Sequence, residues 1–153
     1  MILKNCTFFN ENFEKEYGDI EIENGKIKQI GILDGDGKDM ASKIIIPGFI
    51  DVHIHGCAGG DASDADKSGL EKMAKELAKH GVTSFCPTSM TLPKERLESI
   101  VEAIKEFKEE NHSGAKVIGI NLEGPFIAMS KKGAQNAEYV RGGTIDEFDD
   151  LYA

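Results

Sequence analysis

The stretch Pro47–Gly60, PGFIDVHIHGCAGG, decides how the rest of this sequence is interpreted. It is an apolar run typical of a buried β-strand, but it carries His53 and His55 one residue apart, with Asp51 before them. Side chains at positions i, i+2 and i+4 of a strand lie on the same face. The pattern therefore predicts that these three polar side chains point the same way, at the carboxyl end of the strand.

The two faces of this strand predict different surroundings. Val52 and Ile54 alternate with the histidines and are expected to be buried by covering helices. His53 and His55 can converge on one cation, and imidazole suits Zn, Fe, Ni or Co. Alternatively, they are polar core residues bonded to their neighbours, because two ligands alone do not close a metal site. Asp51 lies deeper in the strand and is expected to have a structural or orienting role rather than to be a ligand.

A third ligand is predicted where another strand ends. Residues 117–122 read as a buried parallel strand, and Glu123 follows it directly in the run VIGINLEGPFI. A carboxylate at this depth is costly unless it is paired or bound to a metal. The alternatives are a turn cap or a salt bridge, but together with the histidine pair a metal site is favoured, with positions left open for water. Thr88 and Ser89 end the strand between and are expected at the same rim.

The order of elements predicts the fold class. From Pro47 onward, periodicity and capping signals alternate strands and helices in a parallel α/β arrangement that matches the first three βα units of a (β/α)₈ barrel. The predicted helices span residues 66–80 and 93–110 and a third begins at a Thr144–Glu147 capping box, with strands at 82–88 and 117–122. A complete barrel takes about 250 residues. This chain has 153, so it is expected to be the N-terminal part of something longer.

The first 46 residues have a different pattern. Residues 1–46 read as short β-strands, and Asn24-Gly25 between alternating apolar segments is a signal for a two-residue hairpin. Pro47 is expected to end strand pairing. The sequence therefore predicts a β-rich segment over residues 1–46 and an incomplete barrel over 47–153.

Composition excludes several classes of partner. The formal net charge of −9 argues against a nucleic-acid surface or an anionic membrane as the main partner. No apolar run approaches the ~20 residues of a membrane-spanning helix. The three cysteines are odd in number and widely spaced, which favours reduced thiols and a cytoplasmic location.

Four motifs in this order carry a family resemblance: PGFIDVHIHG, GVTSFCPT, NLEGPFI and KKGAQNAEYVR. Together they resemble the amidohydrolase superfamily and, more narrowly, the N-acetylglucosamine-6-phosphate deacetylase family. The resemblance covers essentially the whole chain. It implies that residues 1–46 begin a small β-sandwich that a later segment completes.

The resemblance also implies site residues and chemistry. Glu123 matches the family's metal-binding glutamate, and His53 and His55 match the ligand pair of members that hold a second metal, with Zn or Fe as the expected ions. Ala134 and Gln135 match a pair that contacts substrate, although the family commonly has histidine at the second position. The implied reaction is metal-dependent removal of the acetyl group from N-acetylglucosamine 6-phosphate, giving glucosamine 6-phosphate and acetate. The implied partners are an amino-sugar phosphate and, in the full-length form, a second copy of the chain.

The resemblance places the general acid/base beyond residue 153, so no catalytic residue is expected in this sequence and the chain alone is expected to be inactive. Two alternatives stay open. The chain could be a non-catalytic remnant or assembly module, or it could belong to an amidohydrolase that acts on a different amide.

Overall fold

In the computed structural model, which describes residues 1–110 and 112–152, the architecture changes at Pro47. The chain divides there into two compact units, Met1–Pro47 and Gly48–Ala153. The first is a β-sheet and the second is built from parallel strands and helices. The chain is therefore α/β, with a β-rich first segment. No helix within the described ranges is long and apolar enough to cross a membrane.

The first unit is a five-stranded sheet. The five strands are β1 (Ile2–Phe9), β2 (Lys15–Glu23), β3 (Lys26–Gly31), β4 (Lys38–Asp39) and β5 (Ile44–Ile45). The long strands β1, β2 and β3 pair antiparallel in sequence order, and the short β4 and β5 both pair parallel to β1. Asn24 and Gly25 join β2 to β3 with φ of 52° and 73°. Positive φ at both positions is what a type I′ hairpin turn requires, so the predicted hairpin is confirmed.

A partly buried ion pair joins two strands of this sheet. The Asp19 carboxylate accepts hydrogen bonds from Lys4 Nζ at 2.7 Å, from the Asn5 amide at 2.9 Å and from the Leu33 amide at 3.0 Å. These bonds, the one from Lys4 above all, lower the pKa of Asp19 to about 2. The carboxylate thus ties β1, β2 and the segment after β3 together through its charge.

The second unit is organised around one central strand. Its strands are β6 (Phe49–Ile54), β7 (Gly56–Cys57), β8 (Gly60–Asp61), β9 (Val82–Ser89), β10 (Lys116–Val117) and β11 (Asn121–Leu122), with β7 and β8 forming a small separate hairpin. The central strand is β9, which has β6 on one side and β10 and β11 on the other, and all of these pairings are parallel. The helices are α1 (Lys67–Lys79), α2 (Lys94–Glu109) and α3 (Ile145–Tyr152).

The predicted helices α1 and α2 are confirmed to within a residue at each end. Asp66 caps α1 by accepting from the amides of Ser68 and Gly69. The apolar stripes of both helices are buried with Phe85 and Val117 in one core, and its members from α1 and α2 are Leu70, Met73, Ala74, Leu77, Leu97, Ile100, Ile104 and Phe107. These stripes hold the central strand against one layer of helices.

The capping prediction for α3 is half right. The Glu147 amide donates to Thr144 Oγ1 at 3.1 Å, as an N-cap requires. The Glu147 carboxylate, however, pairs with Arg141 rather than closing a reciprocal capping box. An available guanidinium therefore outcompetes the backbone amide for this side chain.

The prediction that Val52 is buried by helices is wrong. Its side chain is 62% exposed, whereas Ile54 packs against the core. Asp51 pairs with Phe85 and Ile54 with Pro87, so three steps along β6 face only two along β9. This shift in register breaks the strict alternation from which the prediction was made.

The third strand is also less continuous than predicted. Residues 117–122 contain the end of β10 and all of β11, with an interruption at 118–120. Ile118 still donates its amide to the Phe85 carbonyl at 3.1 Å, so the chain stays beside β9. Gly119 lies in the gap, and glycine weakens a strand because it has the greatest conformational freedom and no side chain to pack.

The Asp19 site predicts how the first unit responds to acid. Because folding lowers the pKa of Asp19, the unfolded chain binds more protons between about pH 4 and pH 2. The stabilisation is therefore complete above about pH 4 and is lost as the pH falls toward 2. We expect Asp19→Asn to be less stable at neutral pH and to lose less stability than the parent over this window, in urea unfolding followed at several pH values.

The matched control is Asp34→Asn, a change at an exposed carboxylate in the same unit. It should leave the acid dependence of the parent unchanged. Equal slopes for the parent and Asp19→Asn between pH 4 and pH 2 would contradict the role given to Asp19.

Candidate metal centre

The carboxyl ends of the parallel strands bring three polar side chains to one edge of the sheet. His53 lies near the end of β6, His55 follows it, and Glu123 follows β11 directly. Because β6 and β11 flank β9 and run parallel to it, their ends coincide. The structure therefore brings together the three residues that the sequence singles out, although His55 and Glu123 are 68 positions apart.

The geometry of the cluster is tight. Glu123 Oε2 lies 3.0 Å from His53 Nε2 and 3.0 Å from His55 Nε2. The two Nε2 atoms are 3.3 Å apart, and the two rings meet edge to face at 87°. One donor atom from each residue lies within 4.8 Å of the others. Two imidazole nitrogens and a carboxylate oxygen that converge in this way suit a divalent cation such as Zn or Fe.

His55 is oriented by a backbone carbonyl. Its Nδ1 lies 3.0 Å from the Thr88 carbonyl oxygen, which can only accept a hydrogen bond. The proton of the neutral ring is therefore on Nδ1, and Nε2 presents a lone pair to the cluster. The Thr88 hydroxyl also accepts the Ile54 amide at 3.0 Å, which holds the end of β6 in place. Thr88 is thus at the rim, where the sequence predicts it.

His53 has a different partner. The Asn121 amide nitrogen donates to the Val52 carbonyl at 3.1 Å and lies 3.2 Å from His53 Nδ1. Since that nitrogen can only donate, a neutral His53 carries its proton on Nε2, where it can donate to Glu123. Ligation through Nε2 requires this proton to move to Nδ1 and the Asn121 amide to turn. Sequence reasoning missed Asn121; a polar residue two positions before Glu123 in an otherwise apolar strand was the available signal.

Glu123 is held on its other side. Gln135 Nε2 donates to Glu123 Oε1 at 2.6 Å, and the Thr91 hydroxyl donates to the Glu123 carbonyl at 2.7 Å. The pKa of Glu123 is lowered, chiefly by the hydrogen bond from Gln135 and further by His55 and His53, against an opposing effect of burial. The carboxylate is therefore ionised, as a metal ligand must be.

The remaining candidates lie around this cluster. Asp51 accepts the His53 amide at 3.1 Å and is not among the converging donor atoms of the described residues. Ala134 is exposed and Gln135 is buried. Thr91, which sequence reasoning also missed, gave no signal because a threonine after a strand is common in loops.

Comparison with known proteins identifies related chains. The model of the amidohydrolase family matches residues 44–150. Human N-acetylglucosamine-6-phosphate deacetylase is 43% identical over 119 residues, covering 76% of this chain and 29% of the human protein. The deacetylase of the same name from Bacillus subtilis (strain 168) is 32% identical over 157 residues, covering 97% of this chain and 40% of its own length.

Solved structures show the same likeness. The N-acetylglucosamine-6-phosphate deacetylase from Thermotoga maritima has a TM-score of 0.83 and 31% identity, covering 98% of this chain and 39% of its own. The enzyme of that name from Pasteurella multocida has a TM-score of 0.85 and 25% identity, covering 98% and 41%. The chain thus spans about three tenths to two fifths of the length of these relatives, and it matches their N-terminal portion.

The hydrogen bonds of the cluster predict the tautomers of the two histidines. At a pH high enough to keep both rings neutral, and without metal, we expect the Nε2–H form for His53 and the Nδ1–H form for His55. Long-range ¹H–¹⁵N correlation spectra of the imidazoles distinguish the two forms. Asn121→Leu removes one of the two groups that favour Nε2–H on His53, the other being the Glu123 carboxylate, so it should weaken the preference of His53 and leave that of His55 unchanged. The same tautomer on both rings of the parent would contradict this geometry.

Proposed function

The chain belongs to the amidohydrolase family, and on this basis we propose that it forms the metal-binding part of an enzyme that deacetylates N-acetylglucosamine 6-phosphate. The products would be glucosamine 6-phosphate and acetate. The observation that carries the proposal is the convergence of His53, His55 and Glu123. It occurs in a chain whose relatives bear the name of this deacetylase.

We assign the metal to these three residues, with Zn or Fe as the ion. A divalent metal there would lower the pKa of a water molecule and polarise the carbonyl of an acetamide. Glu123 contributes negative charge, which Gln135 keeps in place, and His55 contributes a lone pair that the Thr88 carbonyl orients. The cluster is partly exposed, so a substrate can reach it.

Ala134 and Gln135 are the proposed substrate contacts. Ala134 is exposed beside the buried Gln135. The Gln135 amide has two N–H groups, of which one binds Glu123 and the other faces Met90 Sδ at 3.9 Å. A thioether is a weak acceptor. Because Gln135 is 4% exposed, this second N–H reaches a carbonyl or hydroxyl oxygen of the sugar only if the substrate displaces Met90 Sδ.

We place the general acid/base outside these 153 residues. Glu123 is the one carboxylate among the described residues that joins the converging donors, and its role there is ligation. We further propose that residues 47–153 are the first three βα units of a (β/α)₈ barrel, and that residues 1–46 begin a β-sandwich. Family resemblance supports a homodimer in the full-length form, and three free cysteines support a cytoplasmic location.

One observation favours the alternative of an assembly module. Ile50, Val52 and Ile118 are 61%, 62% and 48% exposed. Val52 also lines an open depression of about 380 Å³ together with Cys86 and Ile120. An apolar surface of this kind indicates that further polypeptide covers this side of the sheet. A chain that bound no metal but associated through this surface would fit the module and not the enzyme.

Metal titration tests the site directly. We expect the purified chain to bind one Co²⁺, reported by its visible absorption, through His53, His55 and Glu123. Glu123→Gln and His55→Ala should weaken binding by more than the roughly 10–100-fold that loss of an orienting partner costs. His80→Ala, at an exposed histidine that pairs with Glu76, is the matched control and should bind as the parent does. Equal affinity in all four proteins would reject the site.

Substrate assays test the reaction. With Zn²⁺ and N-acetylglucosamine 6-phosphate, the chain is expected to release no more acetate than Glu123→Gln does, because these residues supply no proton-transfer carboxylate. The same sugar phosphate should perturb the Co²⁺ absorption of the loaded chain more strongly than a cyclic amide of similar size.

Two results would contradict this assignment. Acetate release that depends on Glu123 would place the acid/base within these 153 residues. A stronger response to the cyclic amide would favour an amidohydrolase with a different substrate.

A further inference from the structure

We infer that Gln135 is a positioning residue that holds the Glu123 carboxylate with one oxygen turned toward the histidines, and that Thr91 supports this role by binding both Gln135 and the Glu123 backbone. The inference rests on the proposed metal site and deepens it. It concerns residues that ligate nothing themselves and act through Glu123.

The three residues form a closed ring of hydrogen bonds. The Thr91 amide donates to Gln135 Oε1 at 2.8 Å, and Gln135 Nε2 donates to Glu123 Oε1 at 2.6 Å. The Thr91 hydroxyl completes the ring by donating to the Glu123 carbonyl at 2.7 Å. Gln135 is 4% exposed and Thr91 is 2% exposed. Water therefore competes little for these bonds. Thr91 binds the backbone of Glu123 directly and holds its carboxylate through Gln135.

The orientation of the Gln135 amide follows from its partners. A backbone N–H can only donate, so the atom that faces the Thr91 amide must be the oxygen. The NH₂ group must then face Glu123. Gln135 thus donates to one carboxylate oxygen of Glu123. This hydrogen bond has a charged acceptor and is therefore stronger than one between neutral groups.

This arrangement gives the two carboxylate oxygens of Glu123 different partners. Oε1 is occupied by Gln135, and Oε2 is the atom 3.0 Å from both imidazole nitrogens. Without Gln135 the carboxylate would lose the donor that holds Oε1, and its orientation would depend on the contacts of Oε2 with the histidines alone. The expected consequence is a site that keeps its ligands but loses their alignment.

Thr91 also packs directly against the backbone of Gly124, the residue that follows Glu123. Gly124 has φ of +89°, and a Cβ atom at this position would overlap the Thr91 hydroxyl. Both the positive φ and the lack of space for a Cβ atom therefore require glycine at position 124. The ring is therefore built into the turn that follows β11.

The test measures Co²⁺ affinity and the visible Co²⁺ spectrum of the purified chain, with the unfolding midpoint of the metal-free protein as a separate readout. Gln135→Leu keeps the shape and removes the amide, so we expect about 10–100-fold weaker binding and a changed spectrum. Gln135→His offers one acceptor and one donor nitrogen and should restore affinity in part. Gln29→Leu, the same change at an exposed glutamine, is the matched control.

Thr91→Val supplies a second variant in case Gln135→Leu fails to fold. It removes the hydroxyl and keeps the backbone amide, so a smaller loss of affinity in the same direction is expected. Unchanged affinity and spectrum in a folded Gln135→Leu or Thr91→Val would overturn the inference. Glu123→Gln separates this failure from failure of the proposed function, because a metal affinity that Glu123→Gln does not alter removes Glu123 as a ligand and overturns both.

Discussion

The parallel pairing of β6 and β11 with the central strand β9 is the constraint on which the site depends. Parallel strands end at the same edge of a sheet, so residues that follow them meet there. His55 and Glu123 approach to 3.0 Å for this reason, without any sequence proximity. The apolar stripes of α1 and α2, buried with Phe85, hold β9 in register and thereby hold the two flanking strand ends.

Around this edge, each of the three cluster residues has a polar partner outside the cluster. The Thr88 carbonyl orients His55, the Asn121 amide faces His53, and Gln135 holds Glu123. This surrounding set decides which lone pairs point toward the centre of the cluster. His55 and Glu123 are aligned for a cation, and His53 requires a change of tautomer.

The deacetylase proposal joins two independent observations. The comparisons establish the amidohydrolase family and a close likeness in fold to part of the solved deacetylases. The cluster geometry supports a metal in this chain by the chemistry of its own donors. The exposed apolar side chains of Ile50, Val52 and Ile118 fit the alternative of an assembly module as well.

Local features were predictable from the sequence because they depend on neighbouring residues. The Asn24-Gly25 hairpin, the helices α1 and α2, and the candidate ligands His53, His55 and Glu123 all follow from periodicity, turn chemistry and residue type within a few positions. The burial of Val52 was predicted wrongly, because a shift in register between β6 and β9 leaves no mark in an alternating pattern. The sequence by itself determined the order of the elements and the kinds of donor available. Only the tertiary structure decided that Asn121 faces His53 and that Gln135 and Thr91 clamp Glu123, because those bonds join segments whose distance depends on how the strands and loops pack.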